Sequence, residues 1–104
     1  MKRPARFHRL AERELLEAAQ YFERERAGLG DAFIDAVESC VEEIVEFPES
    51  GRILIGEVRR RLVPRFPYSV LYTVRSDHIR VLAVIHTKRR PMYWVDRRFA
   101  PDAN

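Results

Sequence analysis

A single cysteine, Cys40, is all the thiol chemistry in this sequence, so no disulfide can close within the chain and the framework of small secreted domains is excluded. Glycine and proline are sparse, four and six in 104 residues. That excludes collagen-like repeats and, with charges interleaved among apolar residues, low-complexity disorder. The longest uninterrupted aliphatic run, Val81 to Ile85, is far too short to cross a bilayer. The basic start, Met1 to Arg6, lacks the apolar stretch of a secretory signal. These deficits predict a soluble, cytoplasmic protein with no membrane role.

Motifs for several chemistries are also missing. There is no HExxH, no cysteine pair and no cluster of acids and histidines at ligand spacing, so no metal site is expected. Neither a P-loop nor a GxGxxG is present, no GxSxG elbow occurs, and no cofactor is expected. Cys40 falls on the apolar stripe of a helix, which predicts inert packing.

What the sequence does carry is one core's worth of apolar residues and an uneven charge. The length and 46% apolar content predict a single domain over residues 1–104. The net charge is only +3, yet residues 1–51 hold seven cations and twelve acids (−5) while residues 52–104 hold twelve and four (+8). Such a division hints at a polyanionic partner for the second half.

Residues 3–9 alternate weakly and read as a short first strand. From Leu10 to Ala27 strong helix formers place Leu15, Ala18, Ala19 and Phe22 on one stripe, and Gly28 stops the helix. A second helix begins near Gly30 or Asp31 with Phe33, Val37, Cys40, Val41 and Ile44 on its apolar side, and Pro48 ends it. The short connection makes the two an antiparallel hairpin that covers one side of a sheet. Thereafter the pattern becomes β-like: 52–63 as one strand region open to interruption at Gly56, then 68–75 and 78–86 as a hairpin turned at Ser76-Asp77. Strict alternation in the last strand puts Ile79, Val81, Ala83 and Ile85 on one face and Arg80, Leu82, Val84 and His86 on the other. The tail, with Pro91, Met92, Tyr93 and Trp94, reads as a short helix or an extension. The fold class is α+β: an N-terminal strand and a helical hairpin on a mainly antiparallel sheet of about four strands.

Arg59, Arg60, Arg61, Arg65, Lys88, Arg89 and Arg90 flank the central hairpin and are the cations best placed to meet on one surface, since arginine holds phosphate through paired N–H donors. The competing reading is a solvated charged face. Tyr93 and Trp94 follow at once; bases stack on such rings beside a basic groove, or the rings close the open end of the core. His86 ends its strand two residues from Lys88. In metal-free RNA cleavage one group takes the 2′-hydroxyl proton, cations stabilise the phosphorane and an acid protonates the leaving oxygen, roles that His86, Arg89 and Tyr93 can divide. A structural hydrogen-bonding role for His86 competes with this. His8 and His78 read as surface positions.

The element order, with VRRRLVPRFPYSVLYTV (58–74) and IRVLAVIHTKRRPMYW (79–94), resembles the RelE/ParE superfamily of bacterial toxins, also called plasmid stabilisation proteins, over residues 4–98. The resemblance implies the toxin of a type II toxin–antitoxin system, a growth inhibitor held inactive by a cognate antitoxin that also mediates any contact with operator DNA. RelE-like members cleave mRNA in the ribosomal A site; ParE-like members poison DNA gyrase without being nucleases, and the ParE-like reading is slightly favoured. On the RelE-like pattern, Arg59 and Arg61 match the second-strand cations, Arg89 the cation after the fourth strand, and Tyr93 or Trp94 the C-terminal aromatic. Ser69 stands where nucleases place an arginine, although Arg65 is near enough in sequence to reach the same phosphate, and His86 resembles a histidine that some nuclease members use. The implied site is therefore His86, Arg89 and Tyr93 for catalysis, if the chain is a ribonuclease, with Arg59, Arg61, Arg65, Lys88, Arg90 and Trp94 for RNA or target binding.

Overall fold

The computed structural model describes residues 2–89 and 92–99, the last two by their backbone. The elements run β1 (Ala5–Phe7), α1 (Arg9–Glu25), α2 (Leu29–Glu46), β2 (Arg52–Ile55), β3 (Val58–Leu62), β4 (Tyr68–Val74), β5 (Ile79–His86) and a 3₁₀ turn (Val95–Phe99). The sheet order is β1-β5-β4-β3-β2, antiparallel except for β1, which pairs in parallel with Ile79 to Val81 of β5. No helix among the described residues is long and apolar enough to cross a membrane.

The helical hairpin forms where the spacing predicts it. Leu15, Ala18 and Ala19 of α1 and Phe33, Val37, Cys40, Val41 and Ile44 of α2 bury against Val70, Tyr72, Ile79, Val81 and Val84 of the sheet. Full burial of each larger side chain stabilises the fold by about 1.5–3 kcal/mol. The turn is fastened by Glu23, whose carboxylate accepts the backbone N–H groups of Gly28 and Gly30; these hydrogen bonds hold its carboxyl below the usual carboxylate range. Cys40 is 2% exposed, and burial pushes its thiol up to about 11, which leaves it protonated and unreactive at neutral pH.

The 52–63 region takes its interrupted form, two strands: Gly56 adopts φ 54°, a left-handed conformation that turns β2 back onto β3. Two expectations change. The alternation of β5 slips by one residue, because a bulge pairs Leu71 with Ala83 but Tyr72 with Val81 and leaves Leu82 extra. Ile79, Val81 and Val84 consequently face the helices, whereas Leu82, Ala83 and Ile85 pack on the opposite face with Val58, Leu71 and Trp94. His8 and His78 are buried rather than on the surface. His8 caps α1 through Nδ1, which accepts the Leu10 N–H at 3.1 Å, and His78 pairs with Asp77 at 2.7 Å.

Candidate functional site

The bulge decides what stands at the C-terminal end of β5. Once the phase has slipped, His86 lies on the helix side, its ring edge-on to Tyr68 with centroids 5.2 Å apart. There a cleft of about 220 Å³ opens between α1, β5 and the tail, lined by Glu14, Tyr21, Tyr68, His86, Arg89 and Tyr93 among others. The three residues expected to share catalytic roles therefore line one cavity.

Its organising residue is Glu14 of α1, which no motif or spacing in the sequence singles out. The Glu14 carboxylate accepts the Val84 N–H at 3.0 Å, the Tyr93 hydroxyl at 2.6 Å and the Arg97 guanidinium at 3.0 Å. Arg97 also donates to the Leu82 carbonyl at 3.1 Å. β1 ends at Phe7, opposite Val81, so among the described residues no strand lies beside the rest of the β5 edge. The Glu14–Arg97 ion pair supplies the acceptor and the donor that a strand would otherwise bring. It also ties the tail to the sheet.

Proton-transfer capacity in the cleft is constrained by these contacts. Burial and the hydrogen bond to Glu14 raise the Tyr93 phenol well above its ordinary value, so the proton stays on the oxygen at physiological pH. His86 Nδ1 accepts the Lys88 N–H at 3.0 Å, which assigns the proton of the neutral ring to Nε2. The neutral ring's one lone pair is thereby occupied, and Nε2 presents a donor. Arg89 is exposed and lies over the Tyr93 ring, 4.3 Å from its centroid; Arg97 flanks the same ring at 5.2 Å. The cleft can offer cationic and N–H donors to an acceptor group. Neither His86 nor Tyr93 is a free base there, and the carboxylate of Glu17, exposed on α1, lines the same cleft.

The expected binding residues are scattered. Arg65 is exposed in the β3–β4 turn at φ 68°, and Lys88 is exposed beside Arg89; Thr87 N–H donates to the Pro67 carbonyl at 2.8 Å and joins these two turns at one end of the sheet. Arg59 and Arg61 point elsewhere, toward α2. Arg59 donates to the Glu49 and Gly51 carbonyls at 3.1 and 2.9 Å, and Arg61 to Ser50 Oγ at 2.7 Å and to the Glu43 carboxylate. The Tyr72 hydroxyl joins them, donating to the Pro48 carbonyl at 2.8 Å and accepting the Gly51 N–H at 2.9 Å. A Cβ on Gly51 would lie 2.5 Å from that hydroxyl, which is why this position takes no side chain. Arg59 and Arg61 thus pin the 48–51 loop. Trp94 is 1% exposed among Val58, Leu71, Leu82 and Ala83, and a ring so enclosed offers no face for a base to stack on. Ser69 is buried on the same side of the sheet. Arg90 lies outside the described residues. Among these residues no group of three or more potential metal ligands occurs.

Two comparisons bear on identity. The family profile of the ParE toxin of type II toxin–antitoxin systems, parDE, matches residues 5–91. A chain from the structure of a chromosomal ParDE toxin–antitoxin system of P. aeruginosa superposes with a TM-score of 0.64 at 20% sequence identity, over 82% of this chain and 96% of that one, a likeness of fold. No curated protein is significantly similar in sequence. With the profile spanning most of the chain, the helical hairpin on its five-stranded sheet belongs to the ParE toxin family of type II toxin–antitoxin systems, within the RelE/ParE superfamily.

Proposed function

We propose that this chain is a single-domain, cytoplasmic growth inhibitor that acts by binding, with DNA gyrase as its target, and that a cognate antitoxin neutralises it. The observation that carries the binding reading is the state of the two proton-transfer candidates. The His86 lone pair is taken by the Lys88 amide and the Tyr93 proton is held against Glu14, so neither is poised to deprotonate a 2′-hydroxyl. In this reading Arg65, Lys88 and Arg89 contact the target as cations, and operator DNA is met only through the antitoxin complex.

A second reading keeps a specific observation in its favour: His86, Arg89 and Tyr93 line one cleft, as a RelE-like ribosome-dependent mRNA endonuclease would require. Purified chain separates the two. Incubated with gyrase and plasmid it should block supercoiling or trap cleaved DNA, and incubated with ribosomes and a reporter mRNA it should leave the message intact. Unaffected gyrase at doses that arrest growth, together with cut message abolished by Arg89→Ala, would reverse the assignment.

A further inference from the structure

The cleft at the end of β5 has two unlike walls. On the α1 side stands Glu17, whose exposed carboxylate lines it with no hydrogen bond or ion pair to any described residue. Glu14, one turn earlier, is by contrast filled: its oxygens take the Val84 N–H, the Tyr93 hydroxyl and Arg97. On the opposite side, where β5 gives way to the tail, His86 presents Nε2–H and Arg89 its guanidinium. Arg89 rests on the Tyr93 ring, 4.3 Å from its centroid, and no ion pair among the described residues carries it across to Glu17. A pair of acceptor oxygens thus faces a set of donors across a gap. A ligand with donors on one edge and acceptors on the next would bridge it.

Size and surface narrow the choice. A cleft of about 220 Å³ is below the roughly 300–1,000 Å³ that encloses a drug-sized ligand, so it takes one ring system and leaves the remainder outside. Tyr21 lines it at 49% exposed, a ring with surface free for stacking. Among the nucleobases guanine has the matching edges: N1–H and the N2 amine donate side by side, as a carboxylate accepts, and O6 and N7 accept side by side, as an arginine donates. Adenine would set its N1 lone pair against the Glu17 carboxylate. Pyrimidines lack N7 and with it the paired acceptors.

The mouth of the cleft supplies charge for a phosphate group. Lys88 lies just past the strand, and the Thr87–Pro67 hydrogen bond draws in the turn that carries Arg65; both side chains are exposed. Among the described residues no basic track leads on from there. Arg59 and Arg61 are committed to the 48–51 loop, alternation turns Arg60 and its partner Arg52 to the face away from the helices, and Trp94 is enclosed. That favours a free nucleotide over a polynucleotide, which needs a run of cations along its backbone.

We propose that this cleft binds the base of a free guanine mononucleotide. Glu17 accepts from N1 and N2, Arg89 and His86 donate to O6 and N7, Tyr21 stacks on the ring, and the phosphate lies at Lys88 and Arg65. The site does not depend on which target the chain inhibits.

The test is calorimetric titration of the full chain with GMP, IMP and AMP. GMP should bind. IMP, which lacks the N2 amine, should bind about tenfold more weakly, the loss of one hydrogen bond to a charged group, and AMP more weakly still. Glu17→Gln, on an exposed position of α1, should lose at least tenfold in GMP affinity and the preference over IMP, with an unchanged circular dichroism spectrum. Lys88→Ala should weaken GMP and leave guanosine alone. Equal affinities for the three nucleotides, wild-type GMP binding by Glu17→Gln, or no binding of GMP at millimolar concentration would overturn the proposal. So would a single-stranded RNA decamer with one guanine that binds more than tenfold tighter than both GMP and its adenine counterpart, since the cleft would then serve a polynucleotide.

Discussion

Replacing Glu14 by alanine removes one carboxylate and three hydrogen bonds at once. The Val84 N–H loses its acceptor, the Tyr93 hydroxyl loses its partner, and Arg97 is left charged with only the Leu82 carbonyl. The Glu14 and Arg97 side chains are 17% and 11% exposed, so water compensates poorly. Hydrogen bonds to a charged group contribute about 1.5–3 kcal/mol each when intact, and breaking a buried ion pair by deleting one partner costs about 3–5 kcal/mol. Because these two groups keep some access to water, we expect a loss near the lower bound, about 3 kcal/mol. For a chain of this size that lowers Tm by roughly 12–24 °C. Circular dichroism melts should show it, while Glu17→Ala, on an exposed position of the same helix, should stay within about 0.5 kcal/mol of wild type. Phenolate absorbance supplies a second readout. Tyr93 is raised in the folded state, so its contribution to stability is complete below the ordinary tyrosine value of about 10 and is lost as pH climbs through its folded value. Glu14→Gln should bring one tyrosine's titration down in pH. A Glu14→Ala protein that melts with the wild type, or a Tyr93 titration unmoved by Glu14→Gln, would refute the account of this latch.

Other consequences are as direct. Tyr72→Phe leaves the Gly51 N–H and the Pro48 carbonyl without their partner and should cost about 2 kcal/mol in urea denaturation. Arg61→Ala should destabilise and Arg60→Ala should not, because only Arg61 is tied to Ser50 and Glu43; equal effects would contradict the division of the arginines. His8 is held below the ordinary histidine value, first by burial and then by Arg80, Arg97 and Arg9. The unfolded chain therefore takes up the proton more readily, and stability should fall as pH drops below about 6.5. His8→Ser, which keeps a cap, should flatten that slope in denaturation at pH 7.5 and 5.5. Cys40 should resist iodoacetamide in the native protein at pH 7.5 and react on unfolding; fast native labelling would show that the helix hairpin opens.

Which residues lie together is legible in the sequence where they are consecutive and hidden where the chain folds back. His86, Arg89 and Tyr93 sit within eight positions, and the end of one strand brings them to one cleft. Arg59, Arg60 and Arg61 are also consecutive, but a strand turns neighbours to opposite faces. Two of the three became loop clamps and the remaining one the half-buried partner of Arg52. Glu14 and Arg97 are 83 residues apart and carry no local signal of their meeting. The Leu82 bulge was equally invisible, since every residue around it is apolar and either phase buries a similar side chain.

The sequence by itself determined the helical hairpin, the aromatic and β-branched strands, and the concentration of positive charge in the second half. Helical spacing, strand propensity and composition are local properties that the chain carries wherever it folds. Only the tertiary structure decided which face each arginine occupies, that Trp94 is core, and that an ion pair stands in for the missing strand along β5. Those outcomes depend on register, on the length of β1 and on long-range closure, and each is fixed by contacts between segments that no window of sequence contains.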